Sequence, residues 1–192
     1  MFLPVSPLLV AGLTVFLFLV LCAALVLVVV SLRSPATTPL VIAVSLVVAG
    51  TVVVAISPVN VPVLFGLVLG LLAVALAVIG GNPITRRMLD VAAGQRVRET
   101  PDGGIVLLRR DGEVQQTLMR GGTTIGYLER TGVVLAIIAG FPEAIAVVVA
   151  VKGIGRFSEL GEPETRERFI IGTLASLVWA CVIGALVRLA IW

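Results

Sequence analysis

The sequence predicts an all-α integral membrane protein, a bundle of four or five transmembrane or membrane-embedded helices with a small extramembrane module containing a β-hairpin. Three observations carry that prediction. Fifty-nine percent of the 192 residues are apolar and only 13% are charged, too few to give a soluble domain its charged surface. The apolar residues fall in long runs: Leu8 to Leu32 is 25 residues without a charge, longer at ~1.5 Å per residue than the ~30 Å hydrocarbon core of a bilayer. Between the third and fourth apolar runs the composition changes, residues 81–130 holding eight of the 14 basic residues and six of the 11 acids.

The first helix is read as retained rather than as a signal peptide, because it lacks a basic leading region and exceeds a signal's apolar stretch of roughly 7–15 residues. The second runs from about Leu40 to Ile56, after a turn with Arg33, Pro35 and Pro39. Pro58, Asn60 and Pro62 form the next turn, since closely spaced prolines do not continue a helix. The third helix runs from about Val63 to Ile79 and places Gly66 and Gly70 at the spacing that lets helix backbones approach closely. Residues 1–80 are thus three N-terminal transmembrane helices. Gly80, Gly81, Asn82 and Pro83 are expected to end the third.

Residues 81–130 read as an Arg-rich cytoplasmic module. Arg86, Arg87, Arg96 and Arg98 flank a short helix near Met88–Ala93, and Gly104–Leu108 and Glu113–Met119 read as two strands. Arg109-Arg110-Asp111-Gly112 lies between them, with Asp-Gly as a hairpin turn signal. The arginines fit the cytoplasmic excess of basic residues and contact with anionic headgroups. Nucleic acid is excluded as a partner, because the basic face is sparse and carries no interleaved aromatics.

Residues 131–192 form the C-terminal membrane segment. Val133–Val151 is apolar but is interrupted by Gly140, Pro142 and Glu143. If it crosses, the Lys152–Arg168 loop, with four basic residues, lies opposite the Arg-rich module. If it re-enters, both basic loops share a side. A kinked span is the expectation. Phe169–Ile191 is the final helix, with Gly172, Ser176, Ala180 and Gly184 on one packing stripe and Trp192 at the interface.

The absence of histidine removes Ser-His and Cys-His nucleophiles and His-ligated zinc. No phosphate-binding loop, nucleotide fingerprint or CxxC pair occurs, so no catalytic residue, metal or cofactor is expected. Cys22 and Cys181 lie in apolar runs and read as small hydrophobes. Glu143 is the candidate ion- or proton-binding residue, because an acid at mid-membrane costs ~2.5–3.5 kcal/mol and is kept beside a partner or water. A protonated Glu143 bonded to backbone opened by Pro142 is the structural alternative. Lys152, Arg156, Arg166 and Arg168 are anion or headgroup candidates, and Tyr127, Glu129 and Arg130 are read, with Trp192, as interfacial anchors.

Gly126-Tyr127-Leu128-Glu129-Arg130, Glu143-Ala144-Ile145-Ala146, Ala150-Val151-Lys152, Arg156-Phe157 and Arg168-Phe169-Ile170-Ile171-Gly172-Thr173-Leu174 form a pattern over about the last 70 residues. It resembles the C-terminal membrane segment of uncharacterised bacterial multi-pass membrane proteins. The resemblance implies a bacterial inner-membrane protein whose polar positions belong together, with the lipid bilayer as environment. A small oligomeric transporter or channel using Glu143 is the leading expectation. A scaffold or accessory subunit that holds a partner membrane protein through the Gly172–Gly184 stripe comes second, and a lipid-modifying enzyme a distant third. The N-terminus is expected outside.

Overall fold

The computed structural model describes residues 7–33, 37–92, 97–99, 105–107, 122–155 and 163–192. Its helices are α1 (Pro7–Arg33), α2 (Thr37–Ile56), α3 (Val63–Ala92), α4 (Gly122–Ile138), α5 (Ala144–Gly155) and α6 (Pro163–Ile191). Of these, α1, α2, α3 and α6 are long and apolar enough to cross a membrane. Pro39 and Pro163 sit in the first turns of α2 and α6, where a missing N–H is harmless.

On α1 the buried residues Leu13, Leu17, Leu21, Ala24 and Val28 recur every three or four positions, one stripe of a helix. They meet Ala43, Val47 and Val54 of α2, Leu69, Ala73, Leu76 and Ala77 of α3, and Ile183, Leu186, Val187 and Ala190 of α6 in one core. The outward faces are equally apolar: Leu9, Phe18, Val26, Val52, Leu64, Leu71 and Val178 are all exposed. A soluble protein does not present such a surface; acyl chains solvate it.

Two ends of the bundle can be told apart. At one, Val61 N–H donates to Ala190 C=O at 2.7 Å and Gly66 faces Ile191, so the α2–α3 turn lies beside the end of α6. At the other, Ser31, Thr37, Pro83 and Arg86 line a common cleft, and Gly172 of α6 faces Thr85 and Leu89 of α3.

Three expectations are corrected. First, α3 does not end at Gly80 but continues through Pro83 to Ala92. A Cβ on Gly80 would stand 3.0 Å from the Trp179 ring, and one on Gly81 would overlap the Arg130 side chain. These glycines admit neighbours; they do not stop the helix. Second, the segment over 133–151 is not a kinked span. α4 and α5 fold back on each other, since Gly132 faces Val148 and Glu129 meets Lys152. Residues 139–143 are the tip of this helical hairpin, whose arms of 17 and 12 residues measure about 25 and 18 Å.

Third, the β-hairpin module is overturned, and the fold is all-α. The only strand segments among the described residues are β1 (Val97–Glu99) and β2 (Ile105–Leu107), antiparallel with Val97 opposite Leu107. The 105–107 segment pairs upstream, with 97–99. Two strands of three residues are also too short to stand as a module. The expected turn at 109–112 and strand at 113–119 lie outside the described residues.

Candidate functional site

The tip is built by a helix cap. Gly140 adopts φ +76°, the left-handed conformation that glycine accepts without strain. Phe141 N–H then donates to Ala136 C=O at 2.8 Å and Gly140 N–H to Ile137 C=O at 3.0 Å, the paired bonds of a Schellman cap. Pro142 follows and cannot extend α4. Arg188 Nη1 donates to Ile138 C=O at 3.1 Å and stacks on Trp192, 5.4 Å from its ring centroid. Arg188 therefore fixes the tip from α6. Glu143 lies exposed at this tip, just ahead of α5.

The charged groups that converge do so elsewhere, at the base of the hairpin. Arg130 on α4 is only 2% exposed. Its Nη2 donates to Asn82 Oδ1 at 2.7 Å and its Nη1 to Ser176 Oγ at 3.0 Å, tying α4 to α3 and α6. The Tyr127 ring stacks 5.5 Å from the guanidinium, and Asn82 Nδ2 contacts the Tyr127 hydroxyl at 3.4 Å. Gly81 and Gly126 leave room for the Arg130 head. Both partners of the two bonds are neutral, and the buried Nε of Arg130 has no hydrogen-bond partner.

Beside it Glu129 is 7% exposed and accepts from Lys152 Nζ at 2.5 Å. The Lys152 ammonium also lies 5.7 Å from the Phe169 ring centroid. Glu129 Oε1 is buried without a partner, as are Thr85 Oγ1, Thr173 Oγ1 and Trp179 Nε1. The seam between α3, α4, α5 and α6 thus carries two cations, one carboxylate and several unsatisfied polar atoms. Asn82 lies 12 residues beyond Gly70, about 18 Å along α3, and Gly70 is level with Ile138 at the hairpin's far end.

Sequence-predicted sites distribute as follows. Glu129 and Arg130, read as interfacial anchors, are buried at the centre of this seam; Tyr127 and Trp192 are exposed. Lys152 joins the seam, Arg168 is buried on α6, Arg166 is exposed, and Arg156 lies outside the described residues. The α6 stripe is occupied internally: Gly172 faces Thr85, Ser176 bonds Arg130, and Gly184 faces Ile137, which a Cβ there would crowd at 3.1 Å, with Ala180 fully buried. Gly66 faces Ile191 of α6 while Gly70 faces Ile138 of α4, so the GxxxG pair serves two neighbours. Asn82, which binds Arg130, is not legible as a site residue in the sequence, because its Gly-Gly-Asn-Pro context reads as a turn. Among the described residues no three His, Cys, Asp or Glu side chains group as a metal site would need.

Fold and site define a helical bundle of membrane-spanning type with a helical hairpin packed on it and a buried cationic seam. Comparison with protein-family models, with curated proteins and with solved structures found no match.

Proposed function

We propose that the chain is a multi-pass membrane transport protein that handles a small anion, with the α4–α5 hairpin as its moving part. The observation that supports this reading is Arg130, a buried guanidinium whose hydrogen-bond partners are both neutral. An ionised side chain at that depth marks a solute pathway or a partner charge, and here Arg130 and Lys152 outnumber Glu129. Non-helical backbone within a membrane is tolerated where it lines protein or a water-filled cavity, which suits a re-entrant hairpin. The Glu129–Lys152 bridge is then the gate: an entering anion takes Lys152 from Glu129 and next meets Arg130.

Orientation follows the basic residues. Arg33, Arg86, Arg87, Lys152, Arg166 and Arg168 lie toward the end of the bundle where α3 and α6 meet at Thr85 and Gly172, and a re-entrant hairpin puts both basic loops on that side. That end is cytoplasmic and the N-terminus outside, in a bacterial inner membrane if the sequence resemblance holds. Glu143, exposed at the opposite end, fits an anion pathway less well than the seam does.

Flux through proteoliposomes tests the proposal. Chloride or nitrate should move faster than potassium, and K152Q and R130Q should each slow the anion about tenfold or more, the loss of one charge-assisted hydrogen bond. Cation-selective flux abolished by E143Q would replace this reading with the Glu143 one. No flux above protein-free vesicles would remove both. A scaffold reading draws on one observation, that α5 buries none of its residues and so leaves a face for a second chain; the α6 stripe, filled from within, no longer supports it.

A further inference from the structure

At the basic end of the bundle, α1, α2 and α3 leave a cleft of about 200 Å³ lined by Ser31, Leu32, Thr37, Leu40, Pro83, Arg86, Arg87 and Asp90. Its two chemistries are separated by origin. Leu32, Leu40 and Pro83 come from the apolar ends of the helices, while Ser31 and Thr37 supply hydroxyls and Arg86 and Arg87 supply guanidinium groups. Thr37 also opens α2, whose first-turn amides add partial positive charge. Asp90 stands 4.0 Å from Arg87, both about half exposed, a distance too long for a firm bond. With two arginines against one aspartate, the lining has a net charge of +1. Arg86 in its lining stands four residues past the Asn82 that binds Arg130.

We propose that this cleft is a binding site for the phosphoryl headgroup of an anionic membrane lipid, held by Arg86 and Arg87 with Ser31 and Thr37 as hydroxyl donors. The volume admits a headgroup but not acyl chains, which continue along the apolar outer face of the helices. Guanidinium groups match phosphoryl oxygens bidentately, and basic pockets between helices on the cytoplasmic side recognise such headgroups. The site is separate from the Arg130 seam and does not depend on the transport reading.

Native mass spectrometry of the full chain, delipidated and then titrated with dioleoylphosphatidylglycerol, dioleoylphosphatidylcholine or inorganic phosphate, tests it. The wild type should retain one phosphatidylglycerol in preference to phosphatidylcholine. R87Q should lower that occupancy about tenfold, as removal of a charge-assisted contact does, and R86Q/R87Q should lower it further. R33Q, a charge removed at the same end but outside the cleft, should retain the lipid. Because Arg87 is half exposed, R87Q leaves the buried core intact, and its circular dichroism and melting temperature report that directly. Equal retention of both lipids, or R87Q binding like wild type, overturns the site. Saturable binding of inorganic phosphate that displaces the lipid overturns the assignment to lipid and leaves a soluble phosphate as ligand.

Discussion

Two short strings in this chain, Gly80-Gly81-Asn82-Pro83 and Ala139-Gly140-Phe141-Pro142, read alike as helix breakers, and the structure treats them oppositely. The first stays inside a continuous α3; the second ends α4 and turns the chain back. The difference lies in what each meets. Trp179 and Arg130 press on the glycines of the first string, and Asn82 bonds Arg130, so a helical backbone there accommodates two neighbours at once. Pro83 removes one backbone bond, and packing outweighs it. In the second string Gly140 has already entered the left-handed region, and the Arg188 guanidinium stands 2.7 Å from where its Cβ would be. Local composition proposes a break, and the residues across the interface decide whether it occurs.

Substitutions sharpen that contrast. Gly81→Val should be the most damaging, expelling Arg130 from its bonds and costing about 3 kcal/mol, the upper range for overpacking. Unfolding in mixed micelles by denaturing detergent would read it, and a cost below about 1 kcal/mol would mean that Arg130 is not held there. Asn82→Leu keeps the helix but leaves the guanidinium one acceptor short, for about 2 kcal/mol; the same titration applies, and combining it with Ser176→Ala should give a coupled, non-additive loss. Gly140→Ala, forced to keep a positive φ against Arg188, should cost about 1–2 kcal/mol. Its signature is local: a cysteine at Ala139 should become more reactive to a maleimide while the rest of the bundle stays folded. Pro83→Ala should change stability by less than about 1 kcal/mol, the backbone bond regained at Ile79 offsetting the buried ring that is lost. A large gain there would show that the proline strains α3.

The sequence made α1, α2 and α6 legible because length and apolarity alone decide a membrane-spanning helix. It located the interruption at Gly140–Glu143, since a glycine that can take positive φ followed by proline is a local signal. It did not reveal whether the chain crosses or returns, which depends on Lys152 reaching Glu129 across 23 positions. The seam was half visible. Glu129, Arg130 and Lys152 stand out as charges near apolar runs, but their burial follows from Asn82 and Ser176, 48 and 46 positions away. Glu143 drew attention by lying in the middle of an apolar run, and the fold carries that middle to the end of a hairpin.

The bond between Arg130 and Ser176 also orders the making of the protein. A ribosome delivers Arg130 46 residues before its α6 partner, while the arm that follows it, α5, buries nothing of its own. Until α6 arrives, Arg130 has only Asn82 of its two hydrogen-bond partners in place. With the hairpin embedded as proposed, the seam closes only once α6 is in place, so its assembly is the closing step of folding rather than an early one.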